Sequence, residues 1–130
     1  LKKIYEAKKN KSPTVEIWGT GRPLRDWLYV KDGAEAVLRA TAAYNDVTPL
    51  NIATGLAVSI SELAETIKKV LKYKGTFVYN TNKPQGALHK IFGVGKMRKV
   101  LGWVPHTPLE VGIAETASWL GKHYKQAIMH

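Results

Sequence analysis

Val15 to Asp32 reads VEIWGTGRPLRDWLYVKD, and the way this stretch is punctuated decides the fold around it. Two runs rich in β-branched and aromatic residues, Val15-Glu16-Ile17-Trp18 and Trp27-Leu28-Tyr29-Val30, flank Gly19-Thr20-Gly21-Arg22-Pro23-Leu24-Arg25, whose composition breaks strands. The spacing predicts two strands with a loop displayed between them. That loop carries two glycines, which permit close backbone approach, and two arginines, which fork onto phosphate oxygens, with a tryptophan at its root. Such a set suits an anion attached to an aromatic ring. Two plainer readings stand beside it: Arg25 in an ion pair with Asp26 or Asp32, and Trp18 buried in a core.

Outward from this stretch, helices and strands alternate. Leu1, Ile4 and Tyr5 fall at helical spacing in a segment ending near Lys9; its start has no cap, as expected of a segment cut from a longer chain. Asp32-Gly33-Ala34-Glu35 has the capping-box pattern and predicts a helix with Val37, Ala40, Thr41 and Tyr44 on one face. Leu50 to Ala53 reads as a strand. Ser59-Ile60-Ser61-Glu62 repeats the box ahead of a clean stripe through Leu63, Ala64, Ile67, Val70 and Leu71. Thr76 to Tyr79 is a further strand, and Asn80 to Gly95, with the turn Lys83-Pro84-Gln85-Gly86, shows no period and reads as a functional or mobile loop. A short helix over Lys96 to Leu101 ends at Gly102. Thr107-Pro108-Leu109-Glu110 is a third capping box, opening a last helix carried by Leu109, Ile113, Ala117, Leu120 and Tyr124. This order predicts an α/β fold, one domain over residues 1–130, with a small mixed, partly parallel sheet and flanking helices.

Composition sets outer limits. With 130 residues, 45% hydrophobic and 23% charged, the chain is long enough and apolar enough to bury a core. No run approaches the roughly 20 apolar residues that span a bilayer, and no signal-peptide pattern opens the sequence, so a cytoplasmic protein without a membrane partner is expected. The absence of cysteine excludes disulfides, thiolate catalysis and zinc–sulfur sites. Twenty Lys and Arg against ten Asp and Glu give +10, which favours anionic partners, although most lysine pairs read as solvated helix faces.

A self-contained catalytic centre is not legible. Gly19-Thr20-Gly21 and Gly93-Val94-Gly95 lack the third glycine of a dinucleotide fingerprint, and there is no GxxxxGK loop. His89, His106, His123 and His130 lack ligand spacing, so no metal is expected. Tyr5 and Lys9 satisfy a YxxxK spacing by coincidence on a lysine-rich helix. Trp103 and Trp119 read as packing residues.

Five blocks, VEIWGTGRPLRDWLYVKDGAEAV, PLNIATG, SISELAE, KPQG and LGWVPHTPLEVGI, resemble in order and spacing the C-terminal part of the extended short-chain dehydrogenase/reductases, the NAD(P)-dependent nucleotide-sugar epimerases, dehydratases and reductases. The WGTGxPxRxxLYVxD run followed by KPxG is most similar to the GDP-fucose synthase branch. The resemblance implies that Trp18 and Arg25 line a sugar-nucleotide site, the arginine on the diphosphate, and that Lys90 reaches the nucleotide with His89 beside it. It also implies that the NADP or NAD loop, the catalytic Ser/Thr and the Tyr-x-x-x-Lys lie in an N-terminal Rossmann domain that this chain lacks. No cofactor is therefore expected in this chain, nor catalysis by it alone. Departures are visible too: where the family commonly has a proline, an arginine and a downstream LDxS, this chain has Leu88, His89 and Phe92-Gly93-Val94-Gly95. These changes remove a permanent charge and an N-cap for the short helix. The expected partners are a nucleotide sugar and either a Rossmann domain or a second copy of the chain. The alternative is a stand-alone basic module for nucleic acid or protein that has kept the fold without the activity.

Overall fold

A computed structural model describes residues 1–127. In chain order the elements are α1 (Lys2–Lys9), β1 (Thr14–Trp18), β2 (Leu24–Arg25), α2 (Val30–Ala43), β3 (Val58–Ser59), α3 (Ile60–Leu71), β4 (Thr76–Asn80), β5 (His89–Lys90), α4 (Gly95–Leu101) and α5 (Leu109–Ala127). The class is α/β with partly parallel pairing, as expected, but the strands form two small sheets. β1 and β4 run parallel, with Thr14 opposite Thr76 and Trp18 opposite Asn80. β2 is the centre of the other sheet, antiparallel to β3 and parallel to β5.

Side-chain periodicity explains the packing. The stripe of α3 buries Ala64, Ile67 and Leu71 against Ile4 and Ala7 of α1, Val15 of β1 and Ile113 and Ala117 of α5. Each fully buried aliphatic side chain here contributes about 1.5–3 kcal/mol by its removal from water. The start of α3 is fixed as its sequence predicts: Glu62 N–H donates to Ser59 Oγ at 3.1 Å, and Ser59 N–H donates back to the Glu62 carboxylate at 2.8 Å. A second cluster gathers Ala36 of α2, Ala53, Val94, and Met97 and Leu101 of α4.

Other expectations are corrected. Trp27 to Val30 is not a strand; the strand lies earlier, at Leu24–Arg25, because those two residues have backbone partners on both sides. Leu24 N–H donates to the Leu88 carbonyl at 2.8 Å, within the segment read as a loop. Leu50 to Ala53 is irregular, and its apolar residues serve the second cluster instead. Asp32 and Glu35 form no capping box. The helix starts at Val30 with Tyr29 as N-cap, Asp32 is buried in its first turn, and Glu35 pairs with Arg39 at 2.7 Å. Asp32 accepts from Thr107 N–H at 3.0 Å and Thr107 Oγ1 at 2.9 Å, so the Thr107 hydroxyl of the third expected box is spent on α2. The buried face of α2 runs through Asp32 and Ala36, leaving Val37 53% and Leu38 71% exposed. Trp119 is exposed and stacks on His123 with ring centroids 4.8 Å apart; Trp103 packs, half-buried, against the second cluster. The α4 N-cap, Val94, has no side-chain hydrogen bond, in keeping with the missing serine and aspartate.

Asp32→Ala removes two hydrogen bonds to a buried carboxylate and leaves Thr107 without its partner. A loss of about 1.5–3 kcal/mol is expected. Urea unfolding followed by circular dichroism measures it, with Glu35→Ala, on an exposed pair, as the near-neutral comparison.

Candidate functional site

Parallel register makes the site. β2 and β5 set Leu24 opposite His89 and Arg25 opposite Lys90. In-register neighbours on parallel strands lie on one face about 4.8 Å apart, so the two side chains leave the sheet on the same face although 65 residues of chain separate them. Arg25 is half-buried, and its Nη1 donates to the Leu24 carbonyl at 2.7 Å. His89 and Lys90 are exposed.

Both carboxylates that might have neutralised Arg25 are committed elsewhere. Asp26 accepts from Thr54 N–H at 2.9 Å, Thr54 Oγ1 at 2.7 Å and Gly55 N–H at 2.7 Å. Asp32 is turned to Thr107. Among the described residues no carboxylate lies within 4.0 Å of Arg25 or Lys90. Two like charges held in register without a counter-ion repel each other, and an anion between them relieves that repulsion.

The KPQG turn closes over the displayed loop. Gln85 Oε1 accepts from Thr20 Oγ1 at 2.7 Å and more weakly from Thr20 N–H at 3.3 Å. Gly19, at φ +76°, has its Cα hydrogens against Gln85, and any Cβ there would be driven into that side chain. Gly86, at φ +70°, passes so near Arg25 that a Cβ would lie 3.4 Å from Nη2. Each glycine is where one backbone crosses another group.

Trp18 is 56% exposed, so the core reading is wrong for it. It is nonetheless fixed. Its Nε1–H donates to Glu16 Oε1 at 2.8 Å, and Asn80 Nδ2 donates to Glu16 Oε2 at 3.0 Å. Lys83 Nζ lies 5.6 Å and Lys3 Nζ 6.0 Å from the indole centroid. These hydrogen bonds from Asn80 and Trp18 hold the Glu16 carboxyl below its ordinary range. Glu16, Asn80, Lys83 and Gln85 were not singled out from the sequence. Glu16 had a cue, since positions i and i+2 of a strand share a face, and Asn80, Lys83 and Gln85 lie in the aperiodic segment read as a functional or mobile loop.

The glycine pairs do not fit a dinucleotide. Gly19-Thr20-Gly21 joins two strands, with Gly21 against Tyr79 and Ser61, and opens no helix. Gly93-Val94-Gly95 runs into the first residue of α4 but follows irregular chain, and its Val94 is buried in the second cluster. Tyr5 and Lys9 both turn to Tyr124, with ring centroids 5.4 Å apart and Lys9 Nζ 4.4 Å from the Tyr124 centroid. Among the described residues no three His, Asp or Glu side chains gather to hold a metal; His130 lies outside them.

Comparison with known proteins agrees with this architecture. A family profile described as the NAD dependent epimerase/dehydratase family matches residues 1–53. GDP-L-fucose synthase 1 of Arabidopsis thaliana is 36% identical over 123 residues, covering 95% of this chain and 38% of that protein. GDP-L-fucose synthase of Escherichia coli K12 is 35% identical over 128 residues, covering 92% and 40%. The crystal structure of a GDP-L-fucose synthetase from Naegleria fowleri, bound to NADP, superimposes with a TM-score of 0.89 at 29% identity over 95% of this chain and 39% of that one. Residues 1–53 thus match this family, and over most of its length the chain is similar to proteins named GDP-L-fucose synthase. It spans about two fifths of the length of these relatives, which are enzymes of GDP-sugar metabolism by name. No helix among the described residues is long and apolar enough to cross a membrane.

The depressed Glu16 carboxyl sets a pH window. A lowered folded-state value stabilises the folded chain above the unfolded value of about 4.3, and that contribution is lost as pH falls through the folded value. The Trp18 indole N–H resonance should therefore hold steady from neutral pH to about 4.3 and move only below it. In Glu16→Gln the same resonance should start displaced and stay flat, and a flat wild-type trace would show the bond does not form.

Proposed function

We propose that the chain is the substrate-binding part of a nucleotide-sugar epimerase, dehydratase or reductase, and that it grips the diphosphate of a nucleotide sugar. The observation that carries this reading is the register pair Arg25 and Lys90, on the same face of the sheet and without a carboxylate among the described residues. Arg25 takes one diphosphate oxygen by a charge-assisted fork and Lys90 neutralises the next. Trp18, exposed and held by Glu16, supplies the flat apolar surface for the base, and His89 flanks Lys90 on the same strand.

Chemistry is assigned outside this chain, because its glycine turns do not form a strand-to-helix phosphate loop and no Tyr–Lys pair is assembled at the site. The cofactor-binding Rossmann portion of the family is the partner, as a domain or a separate chain. Val30, Val37, Leu38 and Leu56 are exposed apolar groups that such a partner covers. Velocity sedimentation of the isolated chain should show concentration-dependent self-association through this surface, and a clean monomer at high concentration counts against it.

Calorimetric titration with GDP-, UDP- and dTDP-sugars tests the site. Saturable binding of at least one is expected, weakened about 10- to 150-fold in Arg25→Ala, the equivalent of a charged hydrogen bond of about 1.5–3 kcal/mol. Lys90→Ala should weaken it less. Affinity unchanged in both variants overturns the assignment.

A further inference from the structure

Away from the Arg25 site, the parallel pairing of β1 and β4 brings the α1–β1 and α3–β4 connections side by side at one end of their sheet. Hydrogen bonds stitch them together. Thr76 N–H donates to the Pro13 carbonyl at 2.9 Å, and Tyr73 Oη donates to the Ser12 carbonyl at 2.9 Å. Gly75 packs so close to Pro13 O that any Cβ would be 2.5 Å from it. Between the connections lies a groove of about 630 Å³, with Lys8 and Lys11 on one wall and Lys72 and Lys74 on the other. It adjoins a second hollow of about 370 Å³ that shares Lys72, Tyr73 and Lys74 and adds Lys68 and Lys69.

Lys68 and Lys69 have carboxylate neighbours, Glu65 at 4.0 Å and Glu110 at 3.2 Å. Among the described residues Lys8, Lys11, Lys72 and Lys74 have none within 4.0 Å. Favourable interaction with a helix dipole accounts for Lys8, in the last turn of α1, but not for Lys11 and Lys74, which lie beyond the helix ends. Lys11 and Lys72 moreover hold left-handed backbone, φ 54° and 53°, which glycine or asparagine adopts at lower cost.

We propose that this groove binds the phosphodiester backbone of nucleic acid. Cations on both walls of a concave, hydrogen-bonded cleft suit a chain of phosphates lying along it, whereas a lipid surface needs a convex or flat display. Among the described residues no large exposed apolar side chain lines the groove, which offers no group to insert into a bilayer. The charged groups of the groove are all ammonium ions and Tyr73 is buried with its hydroxyl used, so bases are neither forked nor stacked. Binding is electrostatic and independent of sequence.

The test uses the 130-residue chain and a fluorescein-labelled single strand of mixed sequence, read by anisotropy over a range of salt. Wild type should bind, and the quadruple variant Lys8→Gln, Lys11→Gln, Lys72→Gln, Lys74→Gln should lose about tenfold or more in affinity, with a salt slope shallower by about 3. A control of equal charge, Lys2→Gln, Lys99→Gln, Lys122→Gln, Lys125→Gln, should lose far less. Equal losses in the two variants would overturn the groove in favour of net charge. So would binding to phosphatidylserine vesicles without binding to the oligonucleotide. Acetylation footprinting of the wild type gives a readout free of any folding defect in the variants: the four groove lysines should be protected by the oligonucleotide, and unprotected lysines would overturn the proposal. GDP-sugar binding should survive in the groove variant, so failure of this site and of the Arg25 site are distinguishable.

Discussion

The three hydrogen bonds that Asp26 accepts from Thr54 and Gly55 hold the rest of the site in place. β2 is only two residues long, too short to persist by its own ladder, and it survives because chain on every side is tied to it. Asp26 fixes the turn at Thr54-Gly55 immediately after β2, Ile60 N–H donates to the Pro23 carbonyl at 3.1 Å before it, and Leu88 accepts from Leu24 on the far edge. Gly55, at φ +76°, packs against Val94 of the second core cluster. The carboxylate that secures this junction is thereby removed from Arg25. One interaction both builds the strand and leaves its arginine without a counter-ion.

That junction also explains where the site sits relative to the cores. α3, which follows β3, belongs to the first cluster, whereas Ala53, ahead of β3, and Val94, after β5, belong to the second. The three-stranded sheet thus lies between the two core clusters, which are also tied through Asp32–Thr107 and Lys31–Glu115. Its short strands report their mutual placement, and substitutions in either core should be felt at Arg25 and Lys90 through the register.

Much of this was legible in the sequence where local chemistry decides. The α3 stripe and its capping box appear as written because Ser59 and Glu62 need only each other and the stripe needs only one face of a helix. α5 likewise buries Ile113, Ala117 and Leu120. What misled was equally local. Asp32 has the spacing of a cap and is instead a tertiary acceptor for Thr107, 75 residues away. Trp27 to Val30 has the composition of a strand but lacks a partner edge, while Leu24-Arg25, in a stretch that reads as a loop, has two. Arg25 and Trp18 were legible as binding candidates, as were Lys90 and His89 in the long loop; that Lys90 stands opposite Arg25 was not, because parallel register depends on chain closure over the whole of α2, α3 and β4.

The exposed face of α2 completes the argument. A helix buried on one side through the smallest side chains, Ala36 and Ala40, approaches its neighbour closely, and the bulky Val37 and Leu38 are left outward. In a chain that folded to bury its largest apolar groups first, the order would be reversed, since a leucine releases several times the apolar area of an alanine. α2 thus packs closely through its small side chains and keeps its larger apolar ones on the surface. At the site, too, Trp18 and Lys90 stand exposed and Arg25 half-buried, on strands of the two different sheets. In both places side chains suited to contact stand at the surface rather than in either core cluster.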